Sequence, residues 1–295
     1  MANVQANGIR IEYDTFGKRS DRPILLVMGL GAQMIHWRAE FCEQLAEAGH
    51  FVVRYDNRDV GLSTKFDSAG LPDIPAIMSQ MAAGQPVTAP YTLNDMADDG
   101  IGLMDALDLP TAHICGASMG GMIVQTMAIR QPRRIKSVTS IMSSTGNREL
   151  PPAKPEAMAA LMSPAGTNRE EVAERSVAVS KVIGSPAYPA DPSETRARAL
   201  EAYERAFYPI GVARHMAAVA SHGNRKPALQ KLDVPALVIH GKADPLVPVE
   251  GGVDTHEALR GSKLMLIEGM GHDLPKPVWA QIVTGIAALT QAANR

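Results

Sequence analysis

The stretch Ala112-His113-Ile114-Cys115-Gly116-Ala117-Ser118-Met119-Gly120-Gly121 decides the reading of this chain. A short apolar run meets a turn of small residues around one serine, and an apolar-periodic segment continues from it, which predicts strand, sharp turn and helix. The centre is Gly116-x-Ser118-x-Gly120, the spacing of a nucleophile elbow: glycines two residues to either side of the serine let strand and helix pack close around a strained turn. Such a turn lifts the Ser118 hydroxyl above the C-terminal edge of a sheet. It also aims the Met119 backbone N–H, at the positive end of the new helix, toward the place where an oxyanion would form. The pattern is short, so its weight depends on what surrounds it.

Outward from this stretch, strand-like and helix-like segments alternate. Residues Val4 to Phe16 read as two antiparallel strands joined at Asn7-Gly8, a strong hairpin signal, and predict one edge of a sheet. After Pro23, Ile24-Leu25-Leu26-Val27-Met28 is the continuous apolar run of a strand covered on both faces, and it exits through Gly29-Leu30-Gly31. A helix from Trp37 to Ala48 places Phe41, Leu45 and Ala48 on one face and stops at Gly49. Phe51 to Tyr55 is the next strand, leading into the polar turn Asp56 to Ser63. Residues from Thr64 to Pro90, rich in Pro, Gly, Met and Ser, read as a long loop with one short helix at most. A helix from Thr92 or Asn94 precedes the elbow. The elbow's own helix runs toward Arg130, Pro132 bars its continuation, and Ile135 to Ser143 is another strand.

From Ser144 to about Pro227 the periods are helical, near Pro155–Met162, Arg169–Ile183, Ser193–Tyr208 and Val212–Ser221, with no strand-like run. The alternation resumes with the strand Ala236 to His240, a helix near Glu250–Leu259, the strand Lys263 to Ile267 and a helix from Pro277 to Gln291. The expectation is an α/β fold, a mostly parallel eight-stranded sheet with helices on both faces, formed by residues 1–143 and 228–295. Residues 144–227 would be a helical lid over the C-terminal ends of the strands, where such folds bind ligands.

A serine hydroxyl is a weak nucleophile at neutral pH and needs an imidazole to take its proton and a carboxylate to orient that imidazole. After the strand ending at His240 comes Asp244-Pro245. After Ile267 comes Glu268-Gly269-Met270-Gly271-His272-Asp273. Singly, Asp244 reads best as a surface-loop or helix-capping acid and His272 as a partly buried histidine. Jointly, in the order Ser, Asp, His and each after a strand, they point to a triad of Ser118, Asp244 and His272. A second oxyanion donor belongs on the glycine-rich loop after the third strand, where the Leu30 backbone N–H is the candidate.

The composition excludes several other classes. The 295 residues are 45% hydrophobic and 20% charged, with a net charge of −2, so no nucleic-acid partner is expected. Cys42 and Cys115 read as buried free thiols of a reducing compartment. The N-terminus lacks a signal-peptide pattern and no apolar run reaches membrane-spanning length, so a cytoplasmic protein without a membrane partner is expected. His36, His50, His113, His215, His222, His240 and His256 show no metal-ligand spacing and read as structural. No Gly-x-Gly-x-x-Gly or P-loop pattern follows the third strand, so neither metal nor cofactor is expected. Sixteen methionines are mostly adaptable core filler, with Met34 and Met142, beside Met119, as the candidates for the substrate pocket. No pattern speaks to the oligomeric state.

Four pieces together resemble the α/β-hydrolase superfamily: Leu26-Val27-Met28-Gly29, Arg54 to Ser63, Gly116 to Gly120, and Gly269-Met270-Gly271-His272-Asp273-Leu274-Pro275. The likeness covers nearly the whole chain. It is greatest to bacterial serine esterases with Gly-x-Ser-Met-Gly, including the aclacinomycin methylesterase-like branch. The resemblance implies Ser118 as nucleophile, His272 as base, Asp244 as orienting acid, and Leu30 and Met119 as oxyanion donors. Many relatives have a histidine before the oxyanion glycine where this chain has Met28, so the hydrogen bond of that histidine is absent. The Asp56 to Ser63 turn reads as a side-chain-braced loop supporting the elbow. The implied activity is hydrolysis of small to medium carboxylic esters through an acyl-enzyme. A methylesterase of a bulky, polyketide-like acid and same-triad perhydrolase, lactonase or C–C hydrolase chemistry are the alternatives. A lid-gated ligand receptor with vestigial turnover is the rival that is not an enzyme. A small-molecule ester is the expected partner.

Overall fold

A computed structural model describes residues 1–293, apart from the side chains of residues 81 and 82. The chain opens with β1 (Ala2–Ala6) and β2 (Ile9–Phe16), joined by Asn7 and Gly8 at φ 49° and 76°. Two successive positive φ values make the turn type that matches the twist of a tight hairpin, which explains the Asn-Gly pair. β3 (Arg22–Val27), α1 (Ala39–Glu47), β4 (His50–Tyr55), α2 (Ile74–Ala82), α3 (Leu93–Ala106), β5 (Ala112–Ala117), α4 (Met119–Arg130) and β6 (Ile135–Ile141) follow. Five helices then succeed one another without a strand: α5 (Pro155–Leu161), α6 (Arg169–Ile183), α7 (Pro192–Arg205), α8 (Pro209–His222) and α9 (Lys226–Leu229). β7 (Ala236–Gly241), α10 (Val249–Ala258), β8 (Lys263–Ile267) and α11 (Trp279–Ala292) complete the fold.

The eight strands form one sheet in the order β1-β2-β4-β3-β5-β6-β7-β8. The pairs β1·β2 and β2·β4 are antiparallel and all the others parallel. Every residue of β4, β5 and β7 is buried, as continuous apolar runs require when helices cover both faces. One face packs Met96, Met104, Ile123 and Val124 of α3 and α4; the other packs Phe41 and Leu45 of α1 with Ile282 and Ile286 of α11. On that second face Phe41 lies between the rings of Trp37 and Trp279, both centroids 5.6 Å away. From β3 the chain first moves outward to β4 and then returns to place β5 on the other side of β3. The crevice above β3 and β5 is therefore a topological switch point, where doubly wound sheets bind ligands.

Elements expected from the sequence are present, and the differences are local. The first helix starts at Ala39 behind a 3-10 turn, Met34–His36, and the 64–90 stretch holds both a 3-10 turn, Asp67–Ala69, and α2. β6 ends at Ile141 because Met142 turns to φ 41°. The short α9 straddles the anticipated 227/228 boundary.

Candidate active site

Ser118 sits between β5 and α4 at φ 56°, ψ −123°, a conformation that non-glycine residues adopt only where the surroundings enforce it. Its glycine neighbours show what enforces it. A Cβ on Gly116 would lie 2.1 Å from the Gly120 carbonyl oxygen, and one on Gly120 would lie 2.1 Å from the Val27 carbonyl oxygen. The elbow is thus wedged between its own helix and β3, and only glycine admits that approach. A Cβ on Gly29 would stand 3.0 Å from Ser118 Cβ, so the exit of β3 passes directly beside the serine.

Asp244 and His272 lie on the loops that leave β7 and β8. Asp244 Oδ1 accepts the Leu246 and Val247 N–H groups, both at 2.9 Å, which orients the carboxylate and leaves Oδ2 facing His272 Nδ1 at 2.7 Å. A carboxylate can only accept, so Nδ1 carries the proton and the Nε2 lone pair faces Ser118 Oγ, 3.0 Å away. His240 Nε2 is 3.6 Å from Asp244 Oδ2 but donates to the Val247 carbonyl at 2.8 Å, so it does not compete for the acid. Burial holds the His240 imidazole below the usual histidine range, in keeping with a neutral ring beside the acid.

The loop carrying His272 is stitched to the end of α6. The His272 N–H donates to the Ile183 carbonyl (2.7 Å), the Gly271 N–H to Ser185 Oγ (2.9 Å) and the Ala187 N–H to the Gly269 carbonyl (3.2 Å). Ser185 Oγ in turn donates to Asp273, whose carboxyl burial pushes up. A Cβ on Gly271 would lie 2.3 Å from the Gly184 carbonyl oxygen, so the two segments meet backbone to backbone.

The loop after β3 is held from below by the turn after β4. Asn57 Nδ2 donates to the Met28 carbonyl at 2.9 Å, and Asp56 Oδ1 accepts the Met34 N–H at 2.8 Å. The Asp56–Ser63 segment therefore braces the glycine loop rather than the elbow itself, because β4 adjoins β3 and not β5. Among the described residues, neither the Leu30 nor the Met119 N–H has a protein acceptor. A hydroxyl hydrogen-bonded to an imidazole, a carboxylate on the far side of that ring and unspent backbone donors are the groups that acyl transfer can use.

A sequence profile described as the alpha/beta hydrolase fold matches residues 22–275. The chain belongs to the α/β-hydrolase family. It is 30% identical to the rhodomycin D methylesterase of Streptomyces sp. strain C5 over 312 aligned positions, covering 99% of this chain and 98% of that one. It is 28% identical to the rhodomycin D methylesterase of Streptomyces peucetius, covering 94% of each. Among solved structures it is similar to the enol-lactonase from Burkholderia xenovorans LB400, with a TM-score of 0.74 and 22% identity over 98% of this chain and 100% of that one. The resemblance read from the four sequence pieces is borne out.

The methionines expected beside the site are buried in this α/β-hydrolase. Met34 is wholly buried in the 3-10 turn behind the β3 loop, and Met142 is buried at the positive-φ residue after β6. Met28 packs into the core and offers only its carbonyl, to Asn57. The structure also connects residues that sequence reading set aside as structural or passed over, namely His215, Ser185 and Ile183, to the loops of the site. None belongs to a motif: their partners are backbone groups more than 80 residues away in the chain, and spacing carries no trace of such pairs. Among the described residues no cluster of His, Cys, Asp and Glu could hold a metal ion, and no helix is long and apolar enough to cross a membrane.

Proposed function

We propose that this α/β-hydrolase cleaves carboxylic esters through an acyl-enzyme on Ser118, with His272 as general base and acid and Asp244 as its orienting carboxylate. That the chain is an ester-hydrolysing enzyme follows from its family and from full-length likeness to two methylesterases. The observation that carries the mechanism is the continuous relay Asp244 Oδ2–His272–Ser118 Oγ at 2.7 and 3.0 Å, met at a strained elbow.

Ser118 Oγ attacks the ester carbonyl carbon as its proton passes to His272 Nε2. The oxyanion is held by the Leu30 and Met119 N–H groups, each such donor worth about 3 kcal/mol in the transition state. Collapse breaks the bond to the alkoxy oxygen, which leaves as the alcohol with the proton from Nε2. Water then gives a proton to the same nitrogen, adds to the acyl carbon, and the acid departs as the proton returns to Ser118. Residues 144–227 act as the cap on the core of 1–143 and 228–295 and shape the pocket. The substrate class favoured by the likeness to the two rhodomycin D methylesterases is a methyl ester of a bulky acid.

The test is a panel of esters varied separately in acid and alcohol, with methyl esters of bulky acids included, together with a fluorophosphonate label mapped by mass spectrometry. Many turnovers and a single adduct on Ser118 are expected. One adduct without turnover would turn the reading toward a ligand receptor, and labelling elsewhere would remove Ser118 from the mechanism.

A further inference from the structure

We infer that His215 is a positioning residue for the oxyanion loop, so that helix α8, outside the sheet, completes the acyl-transfer site; the inference rests on the esterase reading above. The His215 ring is wholly buried, and both of its nitrogens are bonded to backbone. Nε2 lies 2.8 Å from the Arg58 carbonyl oxygen, which can only accept, so Nε2 carries the proton. Nδ1 lies 3.2 Å from the Gly31 nitrogen, whose N–H can only donate, so Nδ1 presents its lone pair. Only the neutral Nε2–H tautomer satisfies both bonds. An imidazolium would set one N–H against another, and burial correspondingly holds the ring at about 4.

The bond falls on a sensitive peptide. The Ala32 N–H donates to the Gly29 carbonyl at 3.2 Å, closing a four-residue turn whose central residues are Leu30 and Gly31. With Gly31 at φ +66°, the turn has the form that requires positive φ at its third residue. The two common turn forms differ by a flip of the central peptide, the one joining Leu30 to Gly31, and its N–H is the group that His215 accepts. The Gly29–Leu30 peptide, whose N–H is the proposed oxyanion donor, is tethered by the Ala32 bond. His215 thus holds the peptide adjoining the donor, while Asn57 and Asp56 hold Met28 and Met34 on either side. The seat is close. A Cβ on Gly31 would lie 2.8 Å from Val212 Cγ2, one helical turn before His215 on the same helix.

The experiment uses the full chain, p-nitrophenyl esters as substrates and a trifluoromethyl ketone as a probe of the tetrahedral state. His215→Leu should lower kcat by roughly tenfold to a hundredfold, part of what deleting an oxyanion donor costs, with KM within about threefold. Trifluoromethyl ketone affinity should fall in parallel with kcat/KM. His215→Gln, whose carboxamide offers one acceptor and one donor, should recover most of both. A His215→Leu protein with wild-type kcat, or a His215→Gln protein as impaired as it, would overturn the inference. Should His215→Leu not fold, nitrogen-15 NMR of the wild-type imidazole decides: the Nε2–H tautomer at neutral pH is expected, and an Nδ1–H tautomer or an imidazolium overturns the bridge. A wild-type protein that turns over no ester breaks the esterase reading instead, and the tautomer measurement still judges the bridge.

Discussion

The elbow and the helical segment between β6 and β7 are built by different forces. Around Ser118, all six residues of β5 and nine of α4 are buried, and glycines bring backbone against backbone, so geometry is held by shape and apolar packing. In the helical segment, α5, α6 and α7 each bury a single alanine. Helix α8 also packs Ala217, Ala218 and Ala220 into apolar clusters, but the bonds that tie the segment to the loops of the site are directional and polar. Arg214 Nη1 meets Asp59 at 2.9 Å and Arg205 Nη2 meets Asp56 at 2.7 Å, both acids fully buried. Gln33 Nε2 donates to the Ala202 and Ala206 carbonyls, at 2.6 and 2.8 Å. The same segment bonds the loops of His272 and Leu30. A packed region tolerates loss of one polar contact; a bonded one transmits it to whatever the bond holds.

The sharpest break of this comparison is Ser118→Ala. It should lower kcat on the order of 10⁶-fold, as for triad enzymes generally, while leaving the melting temperature nearly unchanged, since the elbow's packing does not use the hydroxyl. Ester turnover and a thermal melt check both halves. Next in size is Asp59→Asn, which keeps the shape and the αL preference of a residue at φ 63° but leaves the buried Arg214 without its countercharge. Stability should fall by about 3 kcal/mol or more in urea unfolding, and kcat should fall with it, because Asp59 belongs to the clamp that seats α8.

Acid should reveal the clamp as well. His215 titrates near 6.5 in the unfolded chain and at about 4 in the folded one, so the unfolded state takes up the proton first. Stability is therefore lost as pH falls from about 6.5 to about 4 and levels off below, a loss of about 3 kcal/mol from this group. Asp59, Arg58 and Lys65 are the charges that bear on it. His36, His50, His222 and His240 are also held low by burial, so the measurement is the difference between wild type and His215→Gln in urea midpoints across that range. The gentlest test is the half-exposed Arg38–Glu201 pair between the segments, 3.1 Å apart. A double-mutant cycle should return less than about 1 kcal/mol, and more would mean that surface charge also holds the helices in place.

How much was legible varies with the range of the cause. The strands Ile24 to Val27 and Ala236 to Gly241 are readable because burial on both faces demands an unbroken apolar run. The Asn7-Gly8 hairpin is readable because its turn demands positive φ. The helices of 155–222 could be placed to within a few residues from their periods, whereas α2, in a Pro- and Met-rich stretch with no clean period, could be given only as one short helix without a position. Of the site, Ser118, Asp244 and His272 announce themselves through the strand ends that deliver them. His215 does not, because nothing near it in the chain differs from an ordinary buried helical histidine.

What the sequence determined alone is therefore the set of local demands: which runs must be strands, which glycines must be glycines, and which three side chains follow the right strands in the right order. Only the folded chain decided how Asp244, His272 and Ser118 align at hydrogen-bond distance. Only the folded chain decided that Ile183, Ser185 and His215 reach across to hold the loops. Periodicity and turn chemistry act over a few residues, whereas a bond between positions 31 and 215 exists only once the sheet has brought the two together.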